Sequence, residues 1–217
     1  MRFRSREEAG QELAVRMLEW ASSGDLANVT VLALPRGGVP VAVEIARAMA
    51  VPLDVLVVGR VGVPGSPEVG IGAVAGDDPP VFDRTGLHAL RLSEDELGSE
   101  VARARVEVHR REYVYRGGRP ARDVRGHSVV VVDDGLVTGI TARAALRHVR
   151  RGRPLRLTLA LPVCSPGTAA ALRDEADDVV ALHQPERLGS VGEWYDDFPE
   201  VSDQEVQDAL RVPHPAG

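Results

Sequence analysis

The chain has 217 residues, 44% of them hydrophobic and 27% charged, so it can bury roughly 70% of its unfolded surface and build a real core. All 26 cationic side chains are arginine, which excludes a Schiff-base lysine, a lysine nucleophile and a Walker phosphate-loop lysine. The formal charge of -6 gives no general attraction for nucleic acid, and the single cysteine, Cys164, excludes an internal disulfide and a multi-thiolate metal site.

The N-terminal residues 1–8 carry charge without an apolar stretch behind it, and the longest apolar runs are of strand length. A cytoplasmic protein that meets neither membrane nor nucleic acid is the expectation. Ser5 and Glu8 form a capping-box pattern, and Leu13, Met17 and Trp20 recur at helical spacing, predicting a helix over 6–21. Residues 29–34 are a continuous β-branched and aliphatic run, as in a strand covered on both faces. They end at Pro35-Arg-Gly-Gly-Val-Pro40, and Pro40 suits the first turn of a helix reaching about Ala50.

A second strand is expected at 53–58, opening into a glycine- and proline-rich stretch over 59–72. Ser93 and Glu96 repeat the capping pattern ahead of Leu97, Val101, Ala104 and Val108, so a long amphipathic helix should run to about Tyr115 and end at a Gly-Gly loop. Further strands are expected at 128–132, 155–163 and 179–182, with helices at 141–151 and 169–175. This alternation predicts one α/β domain, doubly wound around a mostly parallel five-stranded sheet with flanking helices. Residues 71–83 and 183–202 do not fit the alternation and are expected to form a small cap, or hood, over the sheet edge.

The most informative segment is Val129-Val-Val-Val-Asp-Asp-Gly-Leu-Val-Thr-Gly-Ile-Thr141. An apolar strand delivers Asp133 and Asp134 to the sheet edge, and a glycine-bounded turn then feeds a helix. Backbone amides of Gly135, Leu136, Val137, Thr138 and Gly139, with the hydroxyls of Thr138 and Thr141, can surround a phosphate at the positive end of the helix dipole. The two carboxylates can accept hydrogen bonds from a ribose diol beside it.

This segment resembles the phosphoribosyl-diphosphate (PRPP) loop of type I phosphoribosyltransferases. The resemblance spans nearly the whole chain and extends to a little-characterised bacterial subgroup of such enzymes, through 32–42, Gly62-Val-Pro-Gly-Ser-Pro-Glu68, Tyr115-Arg-Gly-Gly-Arg-Pro120 and the tail 191–198. It implies a pyrophosphate loop at Arg36, Gly37 and Gly38, with Arg36 supplying the charge and Arg60 reaching the same diphosphate. It also places a mobile closing segment near 103–125, where Arg116 and Arg119 are the candidate lid cations among eight arginines. Trp194 and Tyr195 are candidates for stacking on a base or for anchoring the tail.

The activity implied is transfer of phosphoribosyl from magnesium-bound PRPP to a nitrogenous base or amine with release of pyrophosphate; catalysis rests on Asp133, Asp134 and Arg36. The alternative is a regulatory module that binds PRPP or a nucleotide without turnover. No metal site built from protein ligands is expected, and a homodimer is compatible with the sequence. Two departures from the resemblance bear on substrate. The subgroup's basic pair before Gly62 is Gly59-Arg60 here, and Val137 stands where hypoxanthine-guanine enzymes carry an aspartate base.

Two other patterns have ordinary readings. Gly70-Ile-Gly-Ala-Val-Ala75 matches a dinucleotide fingerprint, but Gly76-Asp-Asp-Pro-Pro80 follows and leaves no helix to receive a phosphate. Cys164 follows a strand with nothing nearby to activate it, as expected of a structural cysteine.

Overall fold

In the computed structural model, which describes residues 2–22 and 28–211, the chain begins with α1 (Arg6–Ser22), β1 (Val29–Ala33), α2 (Gly38–Met49) and β2 (Leu53–Val55). Then come β3 (Val58–Val63), β4 (Ser66–Ala75), β5 (Val81–Phe82), α3 (Arg84–Leu90) and α4 (Gly98–Arg116). The second half comprises β6 (Ser128–Val132), α5 (Ile140–Arg151), β7 (Arg156–Val163), α6 (Pro166–Leu172), β8 (Asp178–His183) and α7 (Asp203–Arg211). Each strand of the expected sheet is present, with small shifts at the ends.

Five parallel strands lie in the order β2-β1-β6-β7-β8. The chain moves outward from β1 to β2 on one side and from β6 through β7 to β8 on the other, so the winding reverses between β1 and β6. Ala33 pairs with Val132, which brings the loops leaving these two strands side by side at the C-terminal edge. This is the crevice where doubly wound sheets bind ligands. Every residue of β6 is buried, because helices cover both faces. Ile45, Val41 and Ala42 of α2 pack with Leu13 and Met17 of α1 on one face. Leu146, Ala142 and Ala145 of α5 pack with Leu172 of α6 on the other.

The stretch after β2 differs from the sequence reading. Residues 59–72 are not an irregular loop: β3 and β4 form an antiparallel hairpin, and β5 completes a second, three-stranded sheet. The glycines that disguise these strands allow close packing. At Gly59 a Cβ would come within 2.9 Å of the Ala104 carbonyl on α4, and at Gly62 within 2.6 Å of the Pro67 carbonyl on the paired strand. Val61, Ile71 and Val74 from this hairpin share an apolar cluster with Leu97, Val101 and Ala104. The expected cap segment 71–83 is thus strand, turn and strand, while 183–202 is largely irregular, with a single short helical turn at Gly192–Trp194. The pattern Gly70–Ala75 lies within β4, so its glycines open no helix.

The basic interval 103–125 begins on the long amphipathic helix expected there. Its first half is α4, and Val101, Ala104 and Val108 are buried along one helical face. No helix among the described residues is long and apolar enough to cross a membrane. Cys164 is fully buried, and burial pushes its thiol up to about 11. Alkylation of the folded protein at pH 8 is therefore expected to be negligible and to appear only on unfolding; rapid labelling of the native protein would overturn this placement.

Candidate active site

β6 delivers Asp133 and Asp134 to the sheet edge, and the loop after them is braced from three directions. The Leu136 amide donates to the Val163 carbonyl at 3.0 Å, and the Thr168 hydroxyl donates to the Val137 carbonyl at 2.7 Å. From the C-terminal side, the Tyr195 hydroxyl donates to the Asp134 carbonyl at 2.6 Å. Gly139 ends the loop with φ +73°, a left-handed conformation that glycine adopts without steric cost, and α5 starts at the next residue. The first amides of α5 have no acceptor within the helix, so the loop residues 135–139, Thr138 and Thr141 gather at a positive helix end.

The loop after β1 packs directly on this acidic turn. The Leu34 amide donates to the Val132 carbonyl at 2.8 Å, and the Pro35–Arg36 peptide is cis. A Cβ on Gly37 would lie 2.1 Å from Asp134 Oδ2, and one on Gly38 would lie 2.6 Å from the Val132 carbonyl oxygen. Glycine at both positions is what permits the two loops to touch. Arg36, Gly37 and Gly38 are therefore beside the Asp133–Asp134 pair.

Two carboxylates in one turn repel each other. Burial, and then the Asp134 charge, push Asp133 well above the usual carboxylate range. Burial also raises Asp134, against the opposing effect of Arg6. That arginine, absent from the sequence-derived site, donates from Nε to Asp134 Oδ2 at 2.8 Å, and its side chain is only 8% exposed. Its Nη1 donates to the Pro199 carbonyl at 2.6 Å, and its guanidinium lies 3.6 Å from the Phe198 ring centroid. Arg6 sits where a capping box was expected to begin a packing helix, and only its burial separates it from the exposed Arg4.

Arg36 forms ion pairs with Glu200 and, at 3.8 Å, with Asp203, so its guanidinium leans toward the C-terminal segment. Other expected residues lie elsewhere. Arg60 is on β3 and donates to the Glu68 carbonyl across the hairpin at 2.8 Å, which commits it to hairpin structure. Arg116 is buried, with Nη2 donating to the Val55 carbonyl at 2.7 Å and Nε to Asp54 at 3.3 Å. A guanidinium locked in this way is a structural tie rather than a closing cation. Arg119 donates from Nε to the Arg116 carbonyl at 3.0 Å and lines a cavity of about 350 Å³ with Gln207, Leu210 and Arg211 of α7. It thus faces α7.

The aromatic candidates divide between two surroundings. Tyr195 is 4% exposed, with its ring between Phe3 and Phe198, so it anchors the tail and has no free face for a base. Trp194 is half-buried and stacks on His183 at 5.5 Å. Val137 is 40% exposed beside the loop and brings no proton acceptor to it.

Comparison with known proteins gives this arrangement a family. The phosphoribosyl transferase domain model matches residues 7–192, which include both loops and all of the five-stranded sheet. The chain belongs to the phosphoribosyl transferase domain family. A Mycobacterium tuberculosis protein whose name gives phosphoribosyl transfer as a provisional assignment is 37% identical over 212 residues, 98% of this chain and 47% of that protein. The chain spans about half the length of the curated relatives it matches. Among solved structures, TT1426 from Thermus thermophilus is 41% identical with a TM-score of 0.78, covering 97% of this chain and 98% of that one. AQ2163 from Aquifex aeolicus, at 13% identity and a TM-score of 0.51 over 95% of this chain and 85% of that one, shares the fold. In this phosphoribosyl transferase domain, Arg6 and residues 199–203 fall outside the matched stretch but meet the Asp133–Asp134 turn and the loop after β1.

Proposed function

We propose that the chain is a PRPP-dependent phosphoribosyltransferase that uses a nitrogenous base or amine as acceptor and releases pyrophosphate. The observation that carries this reading is the contact between the two loops: a twin-carboxylate turn at a helix N-terminus, with a glycine-arginine loop touching Asp134. In the reaction, the acceptor nitrogen donates its lone pair to the ribose C1 and later loses a proton to water. The bond from C1 to the diphosphate oxygen breaks, and pyrophosphate departs with the electron pair. Asp133 and Asp134 accept from the ribose diol, and their negative charge favours the positive character that develops on the ring. The α5 N-terminus, with Thr138 and Thr141, takes the phosphate ester, while Arg36 meets charge gathering on the leaving diphosphate.

Magnesium enters as part of the substrate, held by diphosphate and ribose oxygens and by water, and it neutralises charge on the leaving group. Catalysis is then mainly positioning and electrostatics. The hydrophobic Val137 supports an acceptor other than one that needs a protein carboxylate as base at this position. The proposal keeps the cytoplasmic setting and allows a homodimer.

Calorimetry with magnesium and PRPP, followed by pyrophosphate detection against purines, pyrimidines and amines, tests the reading. Saturable binding with acceptor-dependent pyrophosphate release is expected, and absence of PRPP binding would overturn it. The ion pairs of Arg36 with Glu200 and Asp203 favour a second reading, a binding module whose diphosphate cation is held back. PRPP binding with no pyrophosphate release from any acceptor would select it. On either reading, Glu200→Gln removes one of the two ion pairs of Arg36 and should tighten PRPP binding by no more than about fivefold, since an exposed ion pair contributes roughly 0.2–1 kcal/mol. Weaker binding by this variant would show that Glu200 supports the site.

A further inference from the structure

We infer that Arg6 is a positioning residue for PRPP, holding the Asp134 carboxylate in place for the ribose diol from a point outside the matched family region. The inference rests on the function proposed above. Its basis is geometric. Arg6 opens α1 and is 7% exposed, and Asp134 is the carboxylate its guanidinium bonds. The same guanidinium is fixed by the Pro199 carbonyl and by the Phe198 ring. A buried charge needs a partner, so neither Arg6 nor Asp134 can turn away without stranding the other.

The surroundings of Asp134 define what Arg6 adds. From its own loop, Asp133 faces it and accepts from its amide at 2.9 Å, contributing like charge. From the tail, the Tyr195 hydroxyl is committed to its carbonyl and held well above its usual range by burial. From the loop after β1, Gly37 touches Oδ2, while Arg36 is engaged by Glu200 and Asp203. Glu205 of α7 also senses the Arg6 charge. Arg6 is thus the cation bonded to Asp134, and it opposes the effect of burial on that carboxylate.

Losing it should affect both position and charge. Without the guanidinium, Asp134 takes up a proton at higher pH, and a protonated carboxyl accepts less well from a diol. Binding should therefore be lost at a higher pH as solutions are acidified. Lysine brings a compact ammonium in place of a fork, so it should restore the charge effect but only part of the geometry.

The test is calorimetric titration of Arg6→Gln, Arg6→Lys and wild type with magnesium-PRPP from pH 5.5 to 8.5, together with thermal unfolding and binding stoichiometry. Arg6→Gln should bind about tenfold or more weakly at pH 7, with its acid limb moved upward. Arg6→Lys should keep the limb near its wild-type position. In an Asp134→Asn background, Arg6→Lys should have little further effect, because the residue acts through that carboxylate.

An unshifted limb, or a uniform fall in competent sites at every pH, would overturn the positioning role while leaving PRPP binding by the wild type intact. If Arg6→Gln does not fold, the Arg6→Lys and Asp134→Asn cycle decides: additive effects overturn the inference. Wild-type protein that binds no PRPP at any pH would instead overturn the proposed function, and this inference with it.

Discussion

Asp133→Asn together with Asp134→Asn is expected to remove most affinity for magnesium-PRPP. In the proposed complex each carboxylate accepts charge-assisted hydrogen bonds from the diol, and the loss of such a bond costs about 1.5–3 kcal/mol, or roughly tenfold to a hundredfold per residue. Calorimetry of the double variant should show binding weakened by at least about a hundredfold, and near-normal affinity would remove both residues from the site.

The same substitutions should separate binding from stability. Burial and mutual repulsion raise Asp133 in the folded chain, while the unfolded chain has an ordinary carboxylate. Between those two values the folded state binds more protons, so stability falls as pH rises through the window and the full penalty is present above the folded-state value. Asp133→Asn removes a carboxyl that burial and its neighbour disfavour in the charged form, and should raise the melting temperature by more as the pH rises. Asp134→Asn removes the same repulsion but leaves the Arg6 guanidinium buried beside a neutral amide, so it should stabilise less or destabilise. The two single variants therefore ought to differ, although the residues are adjacent and chemically identical. This difference follows from Arg6.

That arginine also marks the limit of what the sequence reveals. The parallel sheet was legible because strands buried on both faces read as apolar runs, most plainly at 128–132. The acidic loop was legible because its residues are contiguous: two carboxylates, glycines and hydroxyls lie within nine residues between β6 and the first turn of α5. The Arg6 contact joins residues 128 positions apart, and nothing in Arg4-Ser-Arg6 indicates which arginine turns inward. The β3–β4 hairpin was hidden for another reason. Its glycines, at 59, 62, 70 and 72, read as loop, whereas they relieve close contacts with α4, across the hairpin and with Phe82. At Gly70 the neighbour is the Arg60 guanidinium itself, so the glycine and the strand arginine explain each other. The lid expectation failed on a similar point: a Gly-Gly loop suggested freedom for Arg116, but that residue is the last of α4, and Asp54 awaits it on the edge strand.

Arg116→Met is accordingly expected to act on stability. Asp54 Oδ1 also accepts from the Val55 amide at 2.8 Å, and Oδ2 accepts from the Arg122 amide at 3.2 Å. The carboxylate thus joins the edge of the main sheet to the loop after α4, and Arg116 supplies its countercharge. Both side chains are 9% exposed, so removing the guanidinium leaves a buried carboxylate with backbone donors alone. Breaking one partner of such a pair typically costs about 3–5 kcal/mol, a large share of the roughly 5–15 kcal/mol available to a domain. Denaturant unfolding should show the unfolding free energy lowered by that amount, with the midpoint moved to lower denaturant. A closing cation in solvent would behave differently: its removal would leave stability within about 0.5 kcal/mol and weaken PRPP binding instead. Asp54→Asn offers the reciprocal test, since it strands the arginine and should also destabilise. If both variants retain wild-type stability, Arg116 is free to move and its assignment to the lid returns.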